Sequence, residues 1–203
     1  MGQLQSKAEE GLSEVLPRVE QLTGSLLQRS TSKKQMQQMT ILWSELNQLE
    51  PNLVKLAWLR TCRLKPHVKR PLGIEDIPFN QLVSNVTFNR TVNRVDEFMH
   101  RAVLSYCLRQ AAFENMCREL GCRHVRFIDY GLKIEHIEAF MECLVVTVEE
   151  ALASSDDRER NDQILKAVHQ FVTVAVHQIK LGFNETPSVV ALARATTNTL
   201  PRL

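Results

Sequence analysis

The stretch "MCRELGCRHVRF", residues 116–127, decides how this chain is read. Met116, Cys117 and Leu120 recur at helical spacing, a Leu-Gly step follows, and His124 falls one turn after Leu120 on the same face. Val125, Phe127 and Ile128 come directly behind it, so the imidazole can project into apolar surroundings. A histidine so placed is either a boundary residue of the core or a ligand for something held beside it. The remaining histidines, His67, His100, His136, His169 and His177, have charged or polar neighbours and read as surface or internally satisfied side chains.

Outward from this stretch, apolar residues return every three or four positions, glycine is scarce, and no Asn-Gly or Asp-Gly hairpin dipeptide occurs. The chain reads as all-α. Ser32 caps a first core helix whose face carries Met36, Met39, Trp43, Leu46 and Leu49 and which stops near Pro51. A second runs through Leu53, Leu56, Leu59 and Cys62 to Pro66. Pro66, Pro71, Gly73 and Pro78 predict turns and loop over 66–84. Ser84 or Asn85 then caps a long helix bearing Phe88, Val92, Val95, Phe98, Met99, Ala102 and Val103, and a short helix follows from about Phe113 to His124. Beyond Tyr130-Gly131 comes the stripe Ile134, Ile137, Met141, Leu144, Val148 and Leu152. Ser154 or Ser155 caps the last long helix, with Asp156 and Asp157 at the positive end of its dipole; Ile164, Val168, Phe171, Ala175 and Ile179 form its face, and Gly182 marks its end. These boundaries predict an N-terminal extension over 1–31, one domain over 32–184 and a mobile tail over 185–203.

At 203 residues and 44% hydrophobic composition, the chain suffices for one sizeable core. A net charge of +2 and a pI near 8.3 supply no basic field for nucleic acid, and no basic stripe is interleaved with aromatics. Cys62, Cys107, Cys117, Cys122 and Cys143 are odd in number, lie within helical patterns and follow no cleavable signal segment, which predicts reduced thiols in a cytosolic protein. Cys117 and Cys122 do not form a CxxC, and no four Cys or His residues show zinc spacing; small buried residues are the simpler reading beside a thiol redox role. No apolar run approaches the roughly 20 residues of a membrane span.

"MGQLQS" places Gly2 and Ser6 as an N-myristoylation signal requires. One acyl chain anchors a protein only marginally, and no cysteine near Gly2 could take a second. Peripheral membrane association would need help from the run Leu12, Val15, Leu16, Val19, Leu22 and Leu26, which reads equally as a helix packed on its own protein.

Taken in order, four landmarks resemble the globin family over about residues 32–184. Trp43 in "ILWSEL" is similar to the tryptophan of the family's first helix, and Pro66 in "RLKPHVKRPLG" to the proline opening its third. "FNRTVNRV" looks like the distal stretch, assigning Phe88, Thr91 and Val95, and "LGCRHVRF" resembles Leu-Gly-x-x-His, with His124 as the proximal iron ligand. The resemblance, of an invertebrate, nematode-like or insect-like kind, implies the family's arrangement of about eight helices packed around a pocket for haem b.

It further implies that Trp58, Val92, Val95 and Thr91 line the face opposite His124, with Leu120, Phe127 and Ile134 or Ile137 at the porphyrin edge. Two departures stand out. Where the family carries a haem-stacking phenylalanine after the proline, this chain has Leu72, and Phe79 is the candidate substitute. Where it carries a distal histidine, this chain has Thr91, so Arg94 must swing inward if a strong donor is to reach the ligand; otherwise Arg94 is a surface residue near a propionate. Trp58 is bulky enough to crowd a ligand, or else fills core. The implied function is binding of oxygen or another diatomic gas in transport, sensing or redox work with an unknown redox partner. The alternative is a haem-less interaction or signalling module. No carboxylate pair, Ser/His/Asp order or Gly-rich phosphate loop marks an enzyme.

Overall fold

The computed structural model describes residues 33–103, 109–153 and 155–197. Six α-helices are described: α1 (Lys33–Leu49), α2 (Leu53–Leu64), α3 (Val86–Arg101), α4 (Gln110–His124), α5 (Ile134–Leu152) and α6 (Arg158–Thr197). Three 3-10 helices, Pro66–Leu72, Phe79–Ser84 and Val125–Tyr130, join them, and no strand occurs among the described residues. The fold is all-α. The N-terminal run, Gly2, Cys107 and Ser154 lie outside the described residues.

The apolar stripes become one continuous core. Met39, Trp43 and Leu46 of α1, Leu53, Leu56 and Leu59 of α2, Phe88 and Met99 of α3, Phe113 and Cys117 of α4, Leu144 and Val148 of α5, and Phe171 and Ile179 of α6 are all buried. Leu49 departs from the expected face and is 49% exposed, whereas Leu46 before it and Glu50 after it are buried. Residues 66–84, expected as turns and loop, contain two 3-10 helices; prolines that forbid an α-helix interior are compatible with this tighter, shorter form. Gly73 ends the first of them in the left-handed region at φ 69.

Local signals position the helices carrying the candidate site. Asn85 caps α3, its Oδ1 accepting from the amide of Phe88 at 2.9 Å. Asp157, not Ser155, caps α6: its Oδ1 accepts from the amide of Arg160 at 3.0 Å, and its carboxylate suits the helix dipole. Helix α4 starts at Gln110, earlier than Phe113.

The largest departure concerns Gly182. The chain does not leave the helix there; α6 continues to Thr197, through the segment expected as a tail. Gly182 has no positive φ, unlike Gly73 and Gly131, so it does not act as a terminator. It serves a helix crossing. A β-carbon on Gly182 would collide with the carbonyl oxygen of Arg118, and one on Gly121 with that of Ile179. Bare backbone on both sides brings α4 and α6 into the most extensive helix pairing of the described structure.

Candidate functional site

His124 is the last residue of α4, and its environment follows from that position. The ring is half-buried, and its Nδ1 lies 2.7 Å from the carbonyl oxygen of Leu120. A carbonyl only accepts, so Nδ1 carries the proton and Nε2 keeps the lone pair. Burial pushes the imidazole pKa below its ordinary 6.5, the Leu120 bond opposes this, and nearby Arg126 adds to it. The resting group is a neutral imidazole with its tautomer fixed. Phe127 packs edge-on against the ring, centroids 6.1 Å apart, and the Arg126 guanidinium covers the Phe127 ring at 4.8 Å.

The backbone turns sharply after the histidine. Val125–Tyr130 tightens to 3-10 form and Gly131, at φ 88, closes it, with Gly131 N–H donating to Ile128 at 2.8 Å and Leu132 N–H to Phe127 at 3.0 Å. His136 then accepts from the amide of Lys133 at 3.3 Å, reaching back over the start of α5 as a capping side chain does. This is a satisfied histidine. Its pKa too is lowered, by burial first and then by Lys133.

Helices α3 and α4 do not pack extensively on each other: α3 rests on α2 and on the 3-10 helices Pro66–Leu72 and Phe79–Ser84, whereas α4 rests on α6. Segments Pro66–Leu72 and Val125–Tyr130 touch and bridge the two sides. The residues expected around a flat ligand there are neither core nor surface. Trp58, Leu72, Phe79, Val95, Leu120, Ile134 and Ile137 are all partly buried hydrophobics packed against the core.

Other expected site residues are placed differently. Phe88 and Val92 are buried in the core face of α3. Thr91 is half-buried and its hydroxyl donates to the Thr87 carbonyl at 3.2 Å, so it is engaged with its own helix. Arg94 is exposed. Phe127 is half-buried, its ring edge-on to His124.

Phe140 was missed by sequence reasoning. It is 4% exposed and stacks on Trp58 with centroids 4.8 Å apart and planes 30° from parallel, fixing the indole. Its position one turn beyond Ile137 was the available signal.

A separate surface cavity of about 430 Å³ is lined by Ile77, Gln81, Ser84, Asn85, Val86 and Thr87, and includes none of the expected site residues. Among the described residues no three His, Cys, Asp or Glu side chains gather to hold a metal ion; an iron carried in a porphyrin asks for one imidazole only. No described helix is long and apolar enough to cross a membrane. No known family model, curated protein or solved structure matches this chain.

Proposed function

We propose that the protein is a haem-binding globin that reversibly holds oxygen or another diatomic gas. The observation that carries this reading is the 2.7 Å bond from His124 Nδ1 to Leu120, which leaves Nε2 as a neutral, oriented donor at the end of a helix. A haem ligand needs this condition: one nitrogen free, the other anchored so that the ring neither rotates nor changes tautomer. The lowered pKa keeps the lone pair available at neutral pH.

The chemistry of the residues present supports haem b as the group. Trp58, Leu72, Phe79, Val95, Leu120, Ile134 and Ile137 offer half-buried apolar surface for a flat macrocycle. The buried indole nitrogen of Trp58 has no acceptor among the described residues. When bound, the group supplies iron for gas ligation. The chain's own residues orient it, shield it and limit water. His124 fixes one side; the apolar wall excludes solvent, slowing oxidation and loss of the cofactor.

With Thr91 bonded to Thr87 and Arg94 in solvent, none of the described residues expected on the opposite face brings an imidazole, which favours an open sixth position over internal histidine ligation. The same two features, with Leu72 in place of an aromatic, support the second reading, a haem-less interaction module. Absorbance of the full chain purified from haem-supplemented cells separates them. Gas binding requires a Soret band that is lost in His124→Ala; a colourless wild-type protein leaves only the module. Acylation at Gly2 and peripheral membrane association are part of the proposal, and mass spectrometry of protein from eukaryotic cells tests them: an unmodified amino terminus removes both.

A further inference from the structure

Residues 63–70 carry Arg63, Lys65, Lys69 and Arg70 and no carboxylate, a local concentration of cations that the chain's net charge of +2 conceals. Lys69 is spent within the fold, its Nζ donating to the carbonyls of Glu75 and Ile77 at 2.8 Å. Arg63, Lys65, His67 and Arg70 are exposed. They run from the end of α2 along the 3-10 helix Pro66–Leu72, which packs against Val125–Tyr130. The contact is close, for a β-carbon on Gly131 would lie 3.3 Å from Arg70 Cδ. The His136 imidazole, its pKa lowered first by burial, is pushed further down by Lys133, His67 and Lys65 together, which places the start of α5 on the same surface. Glu75, Asp76, Asp129 and Glu135 flank it in sequence; the Glu75 carboxylate stands 4.0 Å from Arg70, a loose, exposed pair that leaves the charge available.

Two large apolar side chains stand in this charged setting. Ile128 is 39% and Tyr130 64% exposed, at the end of Val125–Tyr130. Single exposed apolar residues occur on any surface. A pair on one turn, bordered by the exposed cations Arg70, Arg126 and Lys133, suits a segment that dips into a lipid headgroup layer, where tyrosine is favoured. We propose that this surface docks the protein on a bilayer containing acidic lipids, with Lys65, Arg70, Arg126 and Lys133 meeting the headgroups and Ile128 and Tyr130 entering the interface. The proposal rests on the acylation of Gly2 and the peripheral membrane association above, and is independent of haem. It supplies what that signal lacks: one myristoyl chain holds a protein only marginally, and a basic patch is a second anchor that makes attachment stable. An acidic polypeptide offers the same charge but no hydrocarbon for Ile128 and Tyr130.

Co-sedimentation with vesicles tests this on the full chain purified from eukaryotic cells, its amino terminus checked by mass spectrometry. The protein should bind mixed phosphatidylcholine–phosphatidylserine vesicles more tightly than phosphatidylcholine alone, and added salt should weaken the difference. Lys65→Gln combined with Arg70→Gln and Lys133→Gln should lower partitioning onto the acidic vesicles about tenfold or more. Arg158→Gln, which removes an exposed cation beyond the far end of α5, should change it little. Ile128→Ser with Tyr130→Ser should weaken binding as well. Equal partitioning of the wild-type chain onto neutral and acidic vesicles, or an unaffected triple variant, overturns the proposal while acylation stands. Binding that the apolar variant leaves unchanged, and that soluble polyglutamate matches, identifies an acidic polypeptide as the partner and overturns it too. An unmodified Gly2 removes the acyl anchor and this proposal together.

Discussion

Gly121 of α4 and Gly182 of α6 meet at a crossing so close that a β-carbon on the former would stand 2.8 Å from the amide nitrogen of Phe183. The obstructing atoms on both sides are backbone, which no rotamer change can move. Arg118 and Glu185 clamp the same crossing from the surface, Arg118 Nε donating to Glu185 at 2.9 Å. Because Gly121 lies one turn before His124, the spacing of α4 from α6 sets where the imidazole stands.

Alanine at either glycine therefore gains helix propensity of about 1 kcal/mol but forces the helices apart at a cost of roughly 1–3 kcal/mol. Steric cost prevails. Gly182→Ala should lower Tm by about 2–8 °C, measured by thermal circular dichroism. An unchanged Tm would mean that the crossing relaxes freely.

Arg60, 3% exposed, donates to Thr147 Oγ1 at 3.1 Å and pairs with Glu150, joining α2 to α5. Glu150 is itself 40% exposed, so its removal costs less than that of a fully buried partner. Glu150→Ala should still cost about 1–3 kcal/mol, because a buried guanidinium loses one carboxylate partner. Glu119→Ala, which breaks an exposed pair with Arg123, should cost under about 0.5 kcal/mol. Denaturant titration gives both values, and equal costs would contradict the buried-charge account.

Glu142 of α5 is half-buried, and burial, followed by the neighbouring Glu138 carboxylate, raises its pKa from 4.5 to about 7; Lys65 and Lys180 oppose this. The folded state thus holds a proton that the unfolded chain releases. Stability contributed by the protonated form is complete below pH 4.5 and is lost as pH rises through 7. Glu142→Gln, which mimics the protonated form, should gain nothing at pH 4, progressively more from 4.5 to 7, and about 1–2 kcal/mol at pH 8 after solvent screening. A gain independent of pH would show that Glu142 keeps an ordinary carboxyl.

Cys62 and Cys143 are buried, and burial raises their pKa values to about 12 and about 11. At pH 8 Cys62 therefore presents about a thousandfold less thiolate than at its ordinary value of 9.0. Alkylation followed by peptide mass spectrometry should label the half-buried Cys122 in the native protein and leave Cys62 and Cys143 unlabelled until denaturant is added. Rapid native labelling of Cys62 would show that α2 opens locally.

Helix identity was legible because spacing alone reports it: the stripes through Trp43, Leu144 and Phe171 become buried as their periodicity predicts. Gly182 was misread because a glycine after a periodic run signals a helix end as readily as a close crossing, and only the partner helix distinguishes the two. Arg60 shows a second limit. A charge on a helix reads as solvated, and its burial depends on Thr147 and Glu150 far away in the chain. At the candidate site, the company of His124 was visible, but the partial burial of Ile134 and Ile137 and the unpartnered Trp58 nitrogen were not, since a pattern marks an apolar face without saying how completely it is covered.

The most direct test of the account concerns the His124 nitrogen itself. If the haem reading holds, full-length His124→Gly mixed with ferrous haem should lack the imidazole-ligated spectrum that the wild-type chain then shows, and regain it when free imidazole is added. A variant whose spectrum matches wild type before imidazole is added would contradict the assignment of His124 as the iron ligand.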